Sequence, residues 1–240
     1  MKVEICANSY RSAINAEKSG AHRIELCAEL AVGGITPSFG LIKKVITTLK
    51  IPVFVLIRPR SGNFTYSDDE FEIMKSDIAQ CKALGCHGVV SGVLNKNNTI
   101  DVERTKVLVE LAKPMAFTFH RAFDWVITPE DALEELASLG VNRVLTSGQE
   151  TSALLGLDLL TQLNERAKNR IIILPGGGIH AENAKAFKTA GFNEIHCSAT
   201  TIKPVIETPK VSMQSLAFFD ETTEAFSDSE KISQILERLR

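Results

Sequence analysis

The residues with the most chemical capacity are two thiols, three or four carboxylates, a group of arginines and two histidines. Cys6 and Cys27 each close a short apolar run in which polar and apolar residues alternate. Two thiols at matched height on neighbouring strands suit a soft ion such as Cu(I), while a small buried hydrophobe is the other common use of free cysteine. Downstream, Arg58, Arg60 and Arg121 could clamp an anion. His120 could act as general acid or base, with Glu25 or Asp124 orienting it. Glu25, Arg58, His120 and Asp124 are therefore the candidate catalytic set. The run Gly176-Gly177-Gly178 has the form of a loop that lets backbone amides approach an anion, and Ser147 in Thr146-Ser147-Gly148 adds a hydroxyl to the same rim. Each has a structural alternative, a bare glycine turn for the first and a helix cap for the second.

These residues need a scaffold that brings them to one place. Eight short β-branched runs begin near Val3, Arg23, Pro52, His87, Met115, Arg143, Arg170 and Glu194, spaced by roughly 20 to 35 residues with helical periodicity between them. The pattern predicts an α/β protein, a single (β/α)8 TIM-type barrel over residues 1–240. Helix starts are expected at Thr36-Pro37-Ser38, Ser67-Asp68-Asp69-Glu70 and Thr128-Pro129-Glu130, and helix exits at Gly20, Gly85, Gly140 and Gly191. Residues 201–229, with Pro204, Pro209 and Phe218-Phe219, read as a long irregular mouth-covering or interface segment before a final helix.

Strand alternation then assigns faces. Val3, Ile5, Ile24 and Leu26 belong under the helices, which turns Glu4, Cys6, Arg23, Glu25 and Cys27 inward. The same rule turns Thr118, His120, Glu194, His196 and Ser198 inward. The interior is accordingly ionic, either as complementary pairs filling the barrel or as an active site. Arg58, His120, Arg121 and Asp124 fall at or just past strand ends, where barrel enzymes place their chemistry.

Composition excludes several partners. Against 29 acidic residues stand 27 Lys and Arg, for a net charge of -2, so the basic footprint of a nucleic-acid or anionic-membrane binder is missing. The five cysteines are an odd number without a CxxC, which argues against a disulfide framework or zinc module and for free thiols in a reducing, cytoplasmic setting. The first residues read as a strand containing Glu4, not as a signal peptide, and no apolar run reaches bilayer length. Cys81 and Cys86 read as scaffold and Cys197 as core, while His22, His87 and His180 lack ligand partners in sequence. No organic cofactor is expected, and a homodimer is the base-rate assembly.

Several blocks then become specific. Glu25-Leu26-Cys27, Gly33-Gly34-Ile35-Thr36-Pro37-Ser38, Ile57-Arg58-Pro59-Arg60-Ser61-Gly62-Asn63-Phe64 and Thr118-Phe119-His120-Arg121-Ala122-Phe123-Asp124 resemble the CutC copper homeostasis family. Arg143-Val144-Leu145-Thr146-Ser147-Gly148, Pro175-Gly176-Gly177-Gly178-Ile179 and His196-Cys197-Ser198-Ala199 continue the match in order, up to about residue 200. The resemblance implies a TIM-type barrel, a cytoplasmic location and a part in copper handling, with Cys6 and Cys27 at the positions of the family's inward cysteines. Asn63 departs from the aspartate often found in that block. The copper reading lacks a Met-rich run or a His cluster. Its alternatives are an enzyme of unassigned reaction on a small anionic or phosphorylated metabolite, and a self-association role for residues 201–229.

Overall fold

The computed structural model describes residues 1–204, 211 and 222–240. Eight parallel strands form one sheet: β1 (Lys2–Ala7), β2 (Arg23–Leu26), β3 (Val53–Leu56), β4 (Gly88–Ser91), β5 (Ala116–Phe119), β6 (Arg143–Thr146), β7 (Ile172–Pro175) and β8 (Glu194–Cys197). Neighbours in sequence are neighbours in space, β8 pairs with β1, and one parallel bridge between Gly176 and His196 closes the ring. Helices α1 (Tyr10–Lys18), α2 (Phe39–Ile46), α3 (Asp68–Ala83), α4 (Val102–Ala112), α5 (Pro129–Ser138), α6 (Leu157–Ala167) and α7 (Ala184–Thr189) fill the crossovers, and α8 (Ser229–Arg238) ends the chain. This is a TIM-type barrel, as the spacing predicts.

Period-two alternation builds two cores from the same strands. Val3, Ile5, Ile24, Leu26, Val53 and Val55 pack outward against the helices in one continuous cluster. Cys6, Cys27, Phe54, Leu56 and Val90 form a separate inner cluster. Gly88 makes room for its largest member: a Cβ there would stand 2.7 Å from the Phe54 ring. Among the described residues, no helix is long and apolar enough to cross a membrane.

Helix ends follow the expected signals with one correction. Ser67 and Glu70 form a reciprocal capping box at the start of α3, and Gly20, Gly85, Gly140 and Gly191 all take positive φ after helices. Pro129 occupies the first turn of α5 behind Thr128, whose side chain makes no cap hydrogen bond. At α2, however, the cap is Ser38, which accepts from the Leu41 amide, and not Thr36. Thr36 Oγ1 instead accepts from the Arg58 amide at 2.9 Å. Proline at position 37 holds Thr36 out of helical geometry, which frees its hydroxyl for that contact.

The expectation of an irregular stretch over 201–229 is also corrected at both ends. Strands β9 (Thr200–Pro204) and β10 (Thr223–Ser227) pair antiparallel, from Thr200 opposite Ser227 to Pro204 opposite Thr223. This ribbon docks on the end of β1: Ser227 Oγ donates to the Cys6 carbonyl at 3.1 Å and Asn8 donates to the Ala225 carbonyl at 2.9 Å. Pro209 and Phe218-Phe219 lie outside the described residues.

Candidate functional site

The lower half of the barrel interior is an ion network. Arg23 reaches Glu4 through Nε and Glu194 through Nη2 at 2.7 Å, and Arg143 donates to the same Glu194 oxygen at 2.9 Å. The register makes this possible, because β1 sets Glu4 opposite both Arg23 and His196. Burial opposes ionisation of Glu4, but the Arg23 charge and the His196 hydrogen bond overcome it and hold its pKa near 2. The faces of Arg23 and Arg143 lie 4.8 and 5.4 Å from the Phe54 ring centroid, so one aromatic ring packs against both guanidiniums.

Above the floor the polar groups become ligand-like. Cys6 and Cys27 Sγ are 3.6 Å apart and buried. Donor atoms of Cys6, Glu25 and His196 lie within 4.8 Å of one another, an arrangement able to hold a metal ion. His196 Nδ1 is fixed by Glu4 Oε1 at 2.8 Å. Burial disfavours its protonation, yet the bond to Glu4 and the charge of Glu25 outweigh that and raise its pKa. Among the described residues Glu25 has no arginine clamp and its Oε2 no hydrogen-bond partner, His196 Nδ1 standing 3.9 Å away, and burial lifts its pKa to about 7. The Cys6 thiol is raised well above its ordinary value by the hydrogen bond with Cys27, and then by burial.

Cys6, Glu25 and His196 open onto a cavity of about 820 Å³ at the carboxyl end of the strands. Phe64, Trp125, Leu145 and Ile179 give it apolar walls, and Arg58, Arg121, Asp124, Gly177 and Gly178 also line it. Two soft sulfurs within reach of one ion, backed by an imidazole and a carboxylate, match the donor chemistry of Cu(I). Cys6 contributes to the cavity wall; Cys27, fully buried, stands behind it.

The other residues singled out in the sequence have diverse placements. Arg58 is buried, with Nη1 donating to the carbonyls of Val32 and Gly34 and Nη2 to that of Gly62, each at 2.8 Å. Arg60 turns away from the cavity into an ion pair with Glu70 at 2.5 Å and bonds to the carbonyls of Ser61, Asn63 and Thr65. Asp124 is saturated. Its two oxygens accept from Thr146 Oγ1 at 2.5 Å, the Ser147 amide at 2.9 Å and Arg121 Nε at 2.7 Å. That arrangement orients Arg121 and occupies both Asp124 oxygens with hydrogen bonds from its own neighbours. His120 is buried against Phe64 and its pKa falls to about 3, by desolvation and then by the Arg58 charge, so it is neutral at ordinary pH. It does not line the cavity. Ser147 Oγ accepts from Arg121 at 2.9 Å and donates to the Glu150 carbonyl at 2.6 Å. The Gly176 amide is committed to the Thr146 carbonyl, leaving Gly177 and Gly178 as the glycines at the cavity.

The structure thus brings Cys6, Glu25, Arg58, Arg121, Asp124, Gly177 and Gly178 around one chamber with Cys27 behind Cys6, and takes Arg60, His120, Ser147 and Gly176 out of its lining. It adds His196 as a donor beside Cys6, and Arg143 to the floor network. His196 carried a signal, since it has the inward register and in a closed barrel the last strand must pair with the first.

The CutC family model matches residues 1–201. The chain is 51% identical over 198 residues to the copper homeostasis protein cutC homolog of Mus musculus, covering 82% of this chain and 73% of that one. It is 45% identical over 236 residues to a CutC family protein of Parabacteroides distasonis, across 96% and 97% of the two chains. Among solved structures, CutC from Streptococcus agalactiae superposes with a TM-score of 0.79 at 35% identity, over 82% of this chain and 98% of that one. The aldolase QR15, at TM-score 0.61 and 15% identity over 83% and 90% of the chains, shares the fold alone. Sequence likeness along nearly the full length of a bacterial relative and close agreement in shape with a solved barrel converge: the chain belongs to the CutC family.

Proposed function

We propose that this protein serves copper homeostasis by binding one Cu(I) ion at the inner end of the barrel mouth, between Cys6 and Cys27, with His196 as a further donor. The observation that carries the reading is the pair of buried sulfurs 3.6 Å apart, beside the Cys6, Glu25 and His196 cluster. The copper homeostasis names of the mouse and human relatives support it. Glu4 holds the His196 ring from behind by the hydrogen bond to Nδ1, which leaves Nε2 as its available donor atom. Binding displaces the thiol protons, so affinity rises with pH. Anaerobic Cu(I) titration of the native chain and of a Cys6→Ser/Cys27→Ser double variant tests the site. One equivalent bound tightly by the first and lost in the second is the expected result; equal, weak binding by both refutes it.

A second reading is favoured by one observation, a cavity of about 820 Å³, which is the size of a small-molecule pocket. On that reading the barrel is an enzyme acting on a small anionic metabolite held by Arg121 and the Gly177 loop. A thermal-shift screen of small carboxylates and phosphates, repeated on Arg121→Ala, addresses it; stabilisation indifferent to that substitution counts against the site. The free state of all five cysteines supports placement in a reducing cytoplasm, and we expect a homodimer, to be checked by light scattering.

A further inference from the structure

The chamber above Cys6 is far larger than one ion needs, and its rim carries cationic groups that donation to copper does not use. Arg121 is pinned by Asp124 through Nε and by Ser147 through Nη2, while Nη1 has no hydrogen-bond partner among the described residues. That free edge lies beside Gly177, where a Cβ would come within 3.4 Å of Nη1. Arg58 supplies a second positive charge at the wall. It is 5% exposed, and among the described residues its hydrogen bonds reach three carbonyls and no carboxylate and its buried Nε has no partner. A buried guanidinium without a counter-ion favours an anion nearby. Phe64, Trp125 and Leu145 give the same cavity an apolar wall.

We propose that the cavity receives Cu(I) as its two-coordinate complex with two molecules of a small anionic thiol, not as a bare ion; this deepens the reading of Cys6 and Cys27 as the copper donors and rests on it. The anionic group of the carrier pairs with Arg121 at the rim, its short stem lies against Phe64 and Trp125, and its sulfur presents the ion to Cys6. Transfer is ligand exchange. The two copper–sulfur bonds to the carrier thiolates break as two form to Cys6 and Cys27, and the two cysteine thiol protons pass to the departing thiolates. Each carrier leaves with its sulfur protonated to a thiol and its anionic group unchanged, and copper stays Cu(I), so no electron is gained or lost.

The single tryptophan, Trp125, lines the cavity, so its fluorescence reports occupancy. Anaerobic stopped-flow loading is compared for Cu(I) complexes of 3-mercaptopropionate, 2-mercaptoethanol and cysteamine, with Cu(I) in acetonitrile as carrier-free reference. Loading of the wild-type chain is expected to be fastest from the anionic carrier, by at least about tenfold over the neutral one at low ionic strength, and slowest from the cationic one. The anionic preference shrinks with salt, collapses in Arg121→Gln and is retained in part by Arg121→Lys. Equal rates from the three carriers, or a preference unchanged in Arg121→Gln, overturn the proposal while leaving the copper site standing. Failure of the acetonitrile complex to load overturns the Cys6–Cys27 reading, and this proposal with it.

Discussion

Replacing Glu25 by glutamine should make the protein more stable at mildly alkaline pH. Glu25 is 5% exposed, faces the Cys6 and His196 donors, and has no arginine clamp of the kind that holds Glu4 and Glu194. Burial raises its pKa from an ordinary 4.5 to about 7 in the folded chain. Between those values the unfolded chain has released the proton and the folded chain still holds it, so stability falls as pH rises through the window. At about 1.4 kcal/mol for each pH unit, the penalty accumulated by the top of the window is roughly 3 kcal/mol. His196 contributes with the same sign: its raised pKa gives stability that is complete below its ordinary 6.5 and lost as pH rises through the folded value. Glutamine keeps the shape of the side chain and cannot ionise. Urea unfolding of the apoprotein at about pH 5 and about pH 8, with midpoint and slope fitted together, reads the difference. The wild type should lose stability between the two pH values, and Glu25→Gln should lose less by about 2 to 3 kcal/mol. Parallel behaviour of the two proteins across the window would falsify the assignment of a buried, proton-holding Glu25.

Glu4→Gln should destabilise the apoprotein by about 3 to 5 kcal/mol, because it leaves Arg23 with Glu194 as its one remaining carboxylate among the described residues and His196 without the carboxylate that holds its ring; equilibrium unfolding measures this. Glu4 has a depressed pKa near 2, so the stability it gives is present above about 4.5 and lost as pH falls towards 2, visible as an acid-unfolding limb that weakens in the same variant. Gly88→Ala places a methyl group against the Phe54 ring and should cost about 1 to 3 kcal/mol by overpacking, with a paired Phe54→Leu restoring most of it. Ser67→Ala removes the capping box of α3 and should cost about 1 kcal/mol without altering Cu(I) binding, which separates a scaffold defect from a site defect.

What the sequence makes legible follows from how far each side chain is from the backbone that aims it. Cys6, Glu25 and His196 sit on strands and Cys27 follows β2 directly, where period two fixes the face and a short side chain cannot leave it, and the structure finds them all inside. Arg58 and Arg60 belong to the same turn and share a residue type, yet one lies under the cavity wall and the other clasps Glu70 on α3. A guanidinium at the end of several rotatable bonds goes where its loop places acceptors, and neither the acceptors nor the loop path can be read from spacing. Asp124 shows the same limit from the acceptor side, for a carboxylate past a strand end looks catalytic until three neighbours on the following strand and loop are seen to occupy it.

The same distinction divides the interior charges by role. Glu4 and Glu194 each meet arginines through well-formed contacts and have lowered pKa values, the signature of paired charges that fill space and fix strand register. Glu25, one layer higher on the strand that carries Arg23, has the opposite shift and an unmet oxygen. A barrel designed only for stability gains nothing from leaving that carboxyl unclamped beside two thiols and an imidazole, since an apolar side chain of similar size would fill the position without the ionisation penalty. Glu25→Leu should therefore raise the stability of the apoprotein at about pH 8 and weaken Cu(I) binding, and a variant that gained stability while binding copper as tightly as the wild type would show that the carboxyl serves some other ligand of the cavity.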